Sequence, residues 1–267
     1  IIYITPLRAL NRDVDRRLTE IAEAVGLKIG LRHGDTTQSE RAKQVRNPPH
    51  LLVTTPETFQ LMFTGKNLRK LLTSVKVVIV DEVHDLAASE RGWQLNIGLS
   101  RLEVMTGQPV QRIGLSATVG NPQQVAEWLS PKKGKAVVAM GHRDTKLTVE
   151  AEPTTAEDEI GCMELAIQSP REHATYRRLN EILRKDPPCL VFVNSRNDAE
   201  TIASRLSSMA PDLSIGVHHG SLATATRQKM EDDLREGKLS GLVCTSSLEL
   251  GIDVGSINRI VQMKSPR

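Results

Sequence analysis

The feature that most constrains this chain is a series of short, unbroken apolar runs, each ending abruptly in a polar or acidic residue. Lys76-Val77-Val78-Ile79-Val80 is continuous and β-branched and is followed at once by Asp81-Glu82-Val83-His84. Such a run reads as a strand buried on both faces, which is what a parallel sheet covered by helices requires. Ile1-Ile2-Tyr3-Ile4 leads into Pro6-Leu7-Arg8, Leu51-Leu52-Val53 into Thr55-Pro56-Glu57, and Ile113-Gly114-Leu115 into Ser116-Ala117-Thr118. Between them, Leu10, Val14, Leu18, Ile21 and Val25 recur at helical spacing, and Asn121-Pro122 is a helix start, with Asn as N-cap and Pro at the first position. Residues 1 to about 140 therefore read as βαβ units on a parallel sheet, an α/β fold.

The stretch from about 143 to 172 breaks this pattern. It crowds Glu150, Glu152, Glu157, Asp158 and Glu159, is interrupted by Pro153 and Pro170, and is expected to be one extended edge strand plus a linker. Alternation then resumes, with strands predicted at Leu190–Val193, Leu213–Val217, Leu242–Thr245 and Ile257–Val261 and helices at Asp198–Met209 and Ala223–Arg235. At 267 residues, two domains are the natural expectation, 1–142 and 173–267 with 143–172 between them.

Composition narrows the classes. Charged residues make up 25% and the net charge is +3, which permits a polyanionic partner without demanding one. Cys162, Cys189 and Cys244 are odd in number and widely spaced, so neither a zinc site nor a disulfide framework is expected, and a reducing cytoplasm fits best. No apolar run approaches spanning length, so no membrane is expected. Aromatic residues are 3%, too few for base stacking to be the main grip on a nucleic acid. His218-His219 lacks ligand-spaced Cys, Asp or Glu, and Trp93 and Trp128 read as packing residues.

The Asp81-Glu82 pair is the strongest chemical signal. Ligands of open α/β sheets bind at the carboxyl ends of the strands. An Asp there can hold Mg²⁺, and the next Glu can orient water towards a γ-phosphate. Taken alone, the pair serves equally well as a strand-end turn with solvated acids. Each hydroxyl at the other strand ends is, singly, a turn or N-cap residue. Only their repetition points elsewhere.

In order and spacing, these strand ends resemble motifs Ia, Ib, II and III of superfamily 2 helicases. Val191-Phe192-Val193-Asn194-Ser195-Arg196 resembles motif IV, and Thr245-Ser246-Ser247-Leu248-Glu249-Leu250-Gly251-Ile252-Asp253 resembles motif V. With the DEVH box and His218-His219-Gly220-Ser221, the wording is most similar to the large helicase-related (Lhr) family. The resemblance implies two tandem RecA-like domains and ATP-driven movement, 3′ to 5′, on single-stranded DNA or a DNA/RNA hybrid, with RNA as an alternative track. It implies ATP and Mg²⁺ as cofactors, with Asp81 in the metal shell, Glu82 orienting water, and His84 linking the nucleotide to motif III. Ser116, Ala117, Thr118, Gly251 and Asp253 would couple the nucleotide state to movement. Pro6, Arg8, Gly34, Thr36, Thr55, Pro56 and Glu57 in the first domain would track the nucleic-acid backbone. Ser195, Arg196, His219, Gly220, Ser221, Thr245 and Ser246 would do so in the second. Gly34-Asp35-Thr36 reads as a phosphate-binding helix start.

A P-loop, GxxxxGK[ST], is missing: Gly65-Lys66, Gly134-Lys135 and Gly237-Lys238 are not followed by Ser or Thr. In the family, motif I precedes motif Ia and the arginine motif VI follows motif V. The first domain is thus expected to be N-terminally truncated and the second C-terminally truncated, an internal fragment inactive by itself. Alternatives are a Ski-like RNA or repair helicase and a non-catalytic nucleic-acid-binding module.

Overall fold

The computed structural model describes every residue except Leu7, Thr118, Lys132, 140–145, Ala166, 249–255 and 266–267, and the backbone alone at 8–10, 12, 13, 16 and 247. Two compact units result, Ile1–His142 and Arg143–Arg267.

In the first unit the apolar runs become β1 (Ile2–Ile4), β2 (Ile29–Arg32), β3 (Leu51–Thr54), β4 (Val77–Val80) and β5 (Gln111–Gly114). They form a wholly parallel sheet in the order β2-β3-β1-β4-β5. Helices α1 (Arg8–Ala24), α2 (Gln38–Arg46), α3 (Pro56–Met62), α4 (Lys66–Leu72), α5 (Val83–Ala87), α6 (Glu90–Thr106) and α7 (Pro122–Leu129) connect them. Ile2, Ile4, Val78 and Val80 of the two central strands pack with Phe59, Leu86, Leu95 and Leu99 in one buried core. Asn121 caps α7 by accepting from Gln124 N, with Pro122 in the first turn, as its sequence predicts.

The second unit holds α8 (Ala156–Glu164), α9 (Pro170–Lys185), β6 (Cys189–Phe192), α10 (Arg196–Met209), β7 (Ile215–His218), α11 (Thr224–Arg235), β8 (Gly241–Cys244) and β9 (Arg259–Gln262). Its sheet is also parallel, ordered β7-β8-β6-β9. The two orders are the same winding. In each unit the first strand is central, the second lies at the edge, the third pairs between them, and the fourth crosses to the first strand's other side. In each, the winding reverses beside the first strand, and that is where open α/β sheets bind ligands.

The expected edge strand between the domains is absent from the described residues. Residues 146–155 carry no regular structure, and 156–164 form α8. Three of the crowded acids, Glu157, Asp158 and Glu159, are first-turn residues of α8, where the helix dipole favours negative charge. Asp158 closes a capping box with Thr155, while Glu150 and Glu152 precede the helix and pair with Arg178. Asp158 is fully buried and accepts from His173 Nδ1 at 2.8 Å and from Arg177 Nε at 3.1 Å, binding α8 to α9. The Arg177 hydrogen bonds hold its carboxyl far below the usual range, against the upward pull of burial. Residues read as linker thus belong to the second unit. Trp93 is also corrected: it is 61% exposed on α6, whereas Trp128 packs against the core. Among the described residues, no helix is long and apolar enough to cross a membrane.

Candidate functional site

Asp81 leaves β4 between the ends of β1 and β5, its N–H bonded to the Ile4 carbonyl at 2.8 Å. Asp81 Oδ2 accepts from the Tyr3 hydroxyl on β1 at 2.8 Å, and Oδ1 from the N–H of Glu82 at 2.9 Å. Burial, then the Asp81 hydrogen bond, push the Tyr3 phenol up, so it stays a donor that fixes the carboxylate. Each carboxylate oxygen keeps a further lone pair, which fits a divalent cation held through water. Among the described residues, no cluster of three His, Cys, Asp or Glu is placed to hold a metal by itself.

Glu82 adopts a left-handed backbone, φ 46° and ψ 45°, which turns the chain from strand into α5. Its side chain is 14% exposed. Burial first, and then the neighbouring Asp81 charge, raise its carboxyl above the ordinary range, with His84 opposing. A strained, partly buried acid with a raised pKa marks a site better suited to chemistry than to stability. His84 Nδ1 lies 2.7 Å from Ser116 Oγ and 3.5 Å from Glu82 Oε2. One imidazole thereby links the acid pair to the end of β5. Ala117 follows at that exposed strand end, while Thr118, Gly251 and Asp253 lie outside the described residues.

The remaining residues of the first unit sit at the ends of β1, β2 and β3, three adjacent strands on the other side of the switch point. Thr55 caps α3, accepting from Thr58 N, with Pro56 in the first turn. Its N-cap role is therefore established by geometry. Glu57 accepts from Arg91 Nε at 2.7 Å, and the same guanidinium donates through Nη2 to the Pro6 carbonyl at 2.7 Å. Burial, the largest single effect, pulls the Glu57 carboxyl up, but the Arg91 bond and charge, its own backbone N–H and the Thr55 hydroxyl together leave the pKa below the ordinary value. Arg8 opens α1 and is described by its backbone.

The expected helix start at Gly34-Asp35-Thr36 is shifted by one residue. Thr37 is the N-cap of α2 and forms a capping box with Glu40. Thr36 Oγ1 accepts from His33 N at 2.9 Å, and the Gly34 carbonyl accepts from Arg41. A carboxylate from its own chain already sits at this helix end, so it is not an open phosphate seat.

In the second unit Ser195 caps α10, accepting from Asp198 N at 3.0 Å. Arg196 Nη1 donates to Ser221 Oγ at 2.8 Å, joining the ends of β6 and β7. His219 Nε2 meets Glu200 Oε1 at 2.9 Å and His218 Nε2 meets Glu231 Oε1 at 3.0 Å, partners no local spacing reveals. Gly220 and Ser221 precede α11, whose N-cap, Ala223, offers no side-chain acceptor. Thr245 and the exposed Ser246 follow β8. The structure thus brings together the residues expected at β6, β7 and β8 along one sheet edge. Tyr3, Arg91, Glu200 and Glu231 carry no local sequence signal, because their partners lie on other elements of the fold.

Comparison with known proteins agrees with this arrangement. The DEAD/DEAH box helicase model matches residues 1–125, and the helicase conserved C-terminal domain model matches 174–267. The chain belongs to the superfamily 2 DExH-box helicases, on their Lhr branch. It is 35% identical over its whole length to the ATP-dependent helicase Lhr-Core protein 2 of Thermococcus barophilus, spanning 32% of that helicase. It is equally 35% identical to the Lhr helicase/uracil glycosylase of Escherichia coli, spanning 20% of it. Among solved structures, the Mycobacterium smegmatis helicase Lhr bound to ssDNA and AMP-PNP superposes with a TM-score of 0.82. The identity there is 36%, over 99% of this chain and 36% of that one. The 267 residues therefore span a third or less of the length of these curated relatives.

Proposed function

We propose that the two units, 1–142 and 143–267, are the motor core of an ATP-dependent helicase that moves along single-stranded DNA. The observation that carries the reading is the linked set Tyr3–Asp81–Glu82–His84–Ser116 at the switch point of the first sheet. Asp81, fixed by Tyr3, would hold Mg²⁺ through water, and the metal would neutralise charge on the phosphates when bound. Glu82, with its raised pKa, orients and deprotonates the attacking water. His84 senses the protonation and position of Glu82 and passes it to Ser116.

The groups around β1 and β3, with those around β6, β7 and β8, would grip the nucleic-acid backbone. Hydroxyls, carbonyl-anchored turns and an uncapped helix start read no base edges, which suits a motor that must pass any sequence. The single-stranded DNA bound by the M. smegmatis relative supports this track, and the 3′ to 5′ direction and hybrid unwinding rest on the Lhr resemblance. The 267 residues contain no GxxxxGK[ST], so hydrolysis is tested in a version extended to carry motifs I and VI. There, turnover should require Mg²⁺ and rise with single-stranded DNA. Glu82→Gln should lower it by about three orders of magnitude or more while nucleotide binding persists. Turnover within about threefold of the unmutated protein would end the assignment.

A further inference from the structure

Arg91 stands outside every helicase motif recognised in the sequence, yet among the described residues it makes the longest-range side-chain hydrogen bond in the first unit. Its Nε donates to Glu57 on α3, 34 residues away, and its Nη2 to the Pro6 carbonyl, 85 residues away. A solvent-facing Arg–Glu pair alone contributes little. The second bond changes its meaning, because one planar fork now joins two separate loops at the ends of β1 and β3. Those are adjacent strands, and their loops carry the first unit's proposed backbone-gripping groups.

The base that carries Arg91 is itself fixed. Ser89 caps α6 through Gly92 N and donates to the Leu86 carbonyl, so α6 starts directly against α5. A Cβ on Gly92 would run into that same carbonyl oxygen, so only glycine lets the two helices approach. Val83 and Leu86 of α5 are buried in the core, and α5 begins immediately after Asp81-Glu82. The guanidinium is thus mounted on the segment that continues from the acid pair.

We propose that Arg91 is a positioning residue that holds the Pro6 loop and the first turn of α3 in one frame, fixing the first unit's grip on the nucleic-acid backbone. The inference rests on the nucleic-acid reading above. Arg91 acts through Pro6 and Glu57 and does not itself touch phosphate. Its loss should therefore weaken binding without removing a counterion-releasing contact.

The test is fluorescence anisotropy of a labelled single-stranded oligonucleotide across a salt series, on the 267-residue chain. The unmutated chain should bind with a log–log salt slope of about −2 to −4, from a few phosphate contacts. Arg91→Ala should raise Kd about tenfold at every salt concentration with the slope unchanged. Arg91→Lys keeps the charge but reaches one acceptor at a time, so Kd should rise about threefold. Glu57→Gln should cost less than Arg91→Ala and add little to it, because both act on one connection. An unchanged Kd in a folded Arg91→Ala chain would leave Arg91 a surface ion pair and overturn the proposal. A slope shallower by about 0.7 would make it a direct phosphate contact, and also overturn it. If Arg91→Ala does not fold, Arg91→Gln, which removes the charge and the fork but keeps a long polar side chain, decides by the same two criteria. Binding lost in the unmutated chain would sink the nucleic-acid reading and this inference together, whereas normal binding unaffected by Arg91 substitution sinks the inference alone.

Discussion

Glu82 should lower the stability of the unit it serves, and two substitutions separate the reasons. Its left-handed backbone (φ 46°, ψ 45°) costs a non-glycine residue about 1–2 kcal/mol. Its carboxyl is raised by burial and by Asp81, so the native state holds the proton more tightly than the unfolded chain does. That second cost is absent at low pH. It begins as pH rises through the unfolded carboxylate value of about 4.3 and is complete above the folded value, and each tenfold difference in proton affinity is worth about 1.4 kcal/mol. Glu82→Gln removes the charge but keeps the strained backbone. It should therefore stabilise at pH 8 and leave stability unchanged near pH 4. Glu82→Gly removes both and should gain about 1 kcal/mol more than Gln at every pH. Both tryptophans, Trp93 and Trp128, lie in the first unit, so urea unfolding followed by their fluorescence reads that unit alone. A Gly variant no more stable than the Gln variant would refute the strain argument. A Gln gain of equal size at pH 4 and pH 8 would refute the burial and repulsion argument.

Removing His84 and Ser116 tests the link between the acid pair and the end of β5. In a version extended to carry motifs I and VI, His84→Ala, Ser116→Ala and the double variant should each cut unwinding more than ATP hydrolysis. Their effects should be non-additive by about 1 kcal/mol or more, and additive losses would mean the 2.7 Å contact carries no coupling. Asp158→Asn should cost the second unit about 3 kcal/mol in urea melts followed by circular dichroism, because Arg177 and His173 lose a buried charged acceptor. Asp158 has a depressed folded pKa, so its contribution is present above the unfolded value of about 3.9 and fades as pH falls below it. The variant's stability should consequently fall less steeply between pH 4 and 2 than that of the unmutated chain, and a parallel decline would refute the assignment.

Local sequence was sufficient wherever the signal was local. The run Val77–Val80 declared a parallel strand, because β-branched apolar residues without alternation suit a sheet covered by helices, although Val78 and Val80 are buried and Val77 and Ile79 only half-buried. The acids after it left a catalytic site and a solvated turn equally open. The cap at Asn121-Pro122 was legible, because the Asn121 oxygen accepts from the N–H three residues on. Ser195, expected on the nucleic-acid path, instead caps a helix that starts two residues before the expected Asp198. The acids near 157 show where local reading fails. Charge and proline suggested a linker, but the Thr155–Asp158 box starts a helix, and burial against His173 and Arg177 on α9 completes it. Strand order, and with it the shared winding of the two units, is a matter of long-range pairing that no local window contains. The Tyr3–Asp81 and His84–Ser116 contacts follow from that order, and the Arg91–Pro6 and His219–Glu200 contacts need the packing of α6 and α10 as well. The sequence by itself determined that each apolar run is a strand and which polar residues follow it. Only the tertiary structure decided which of them touch, because hydrogen bonds act over about 3 Å and it is the sheet that brings residues 3 and 81, or 6 and 91, within that reach.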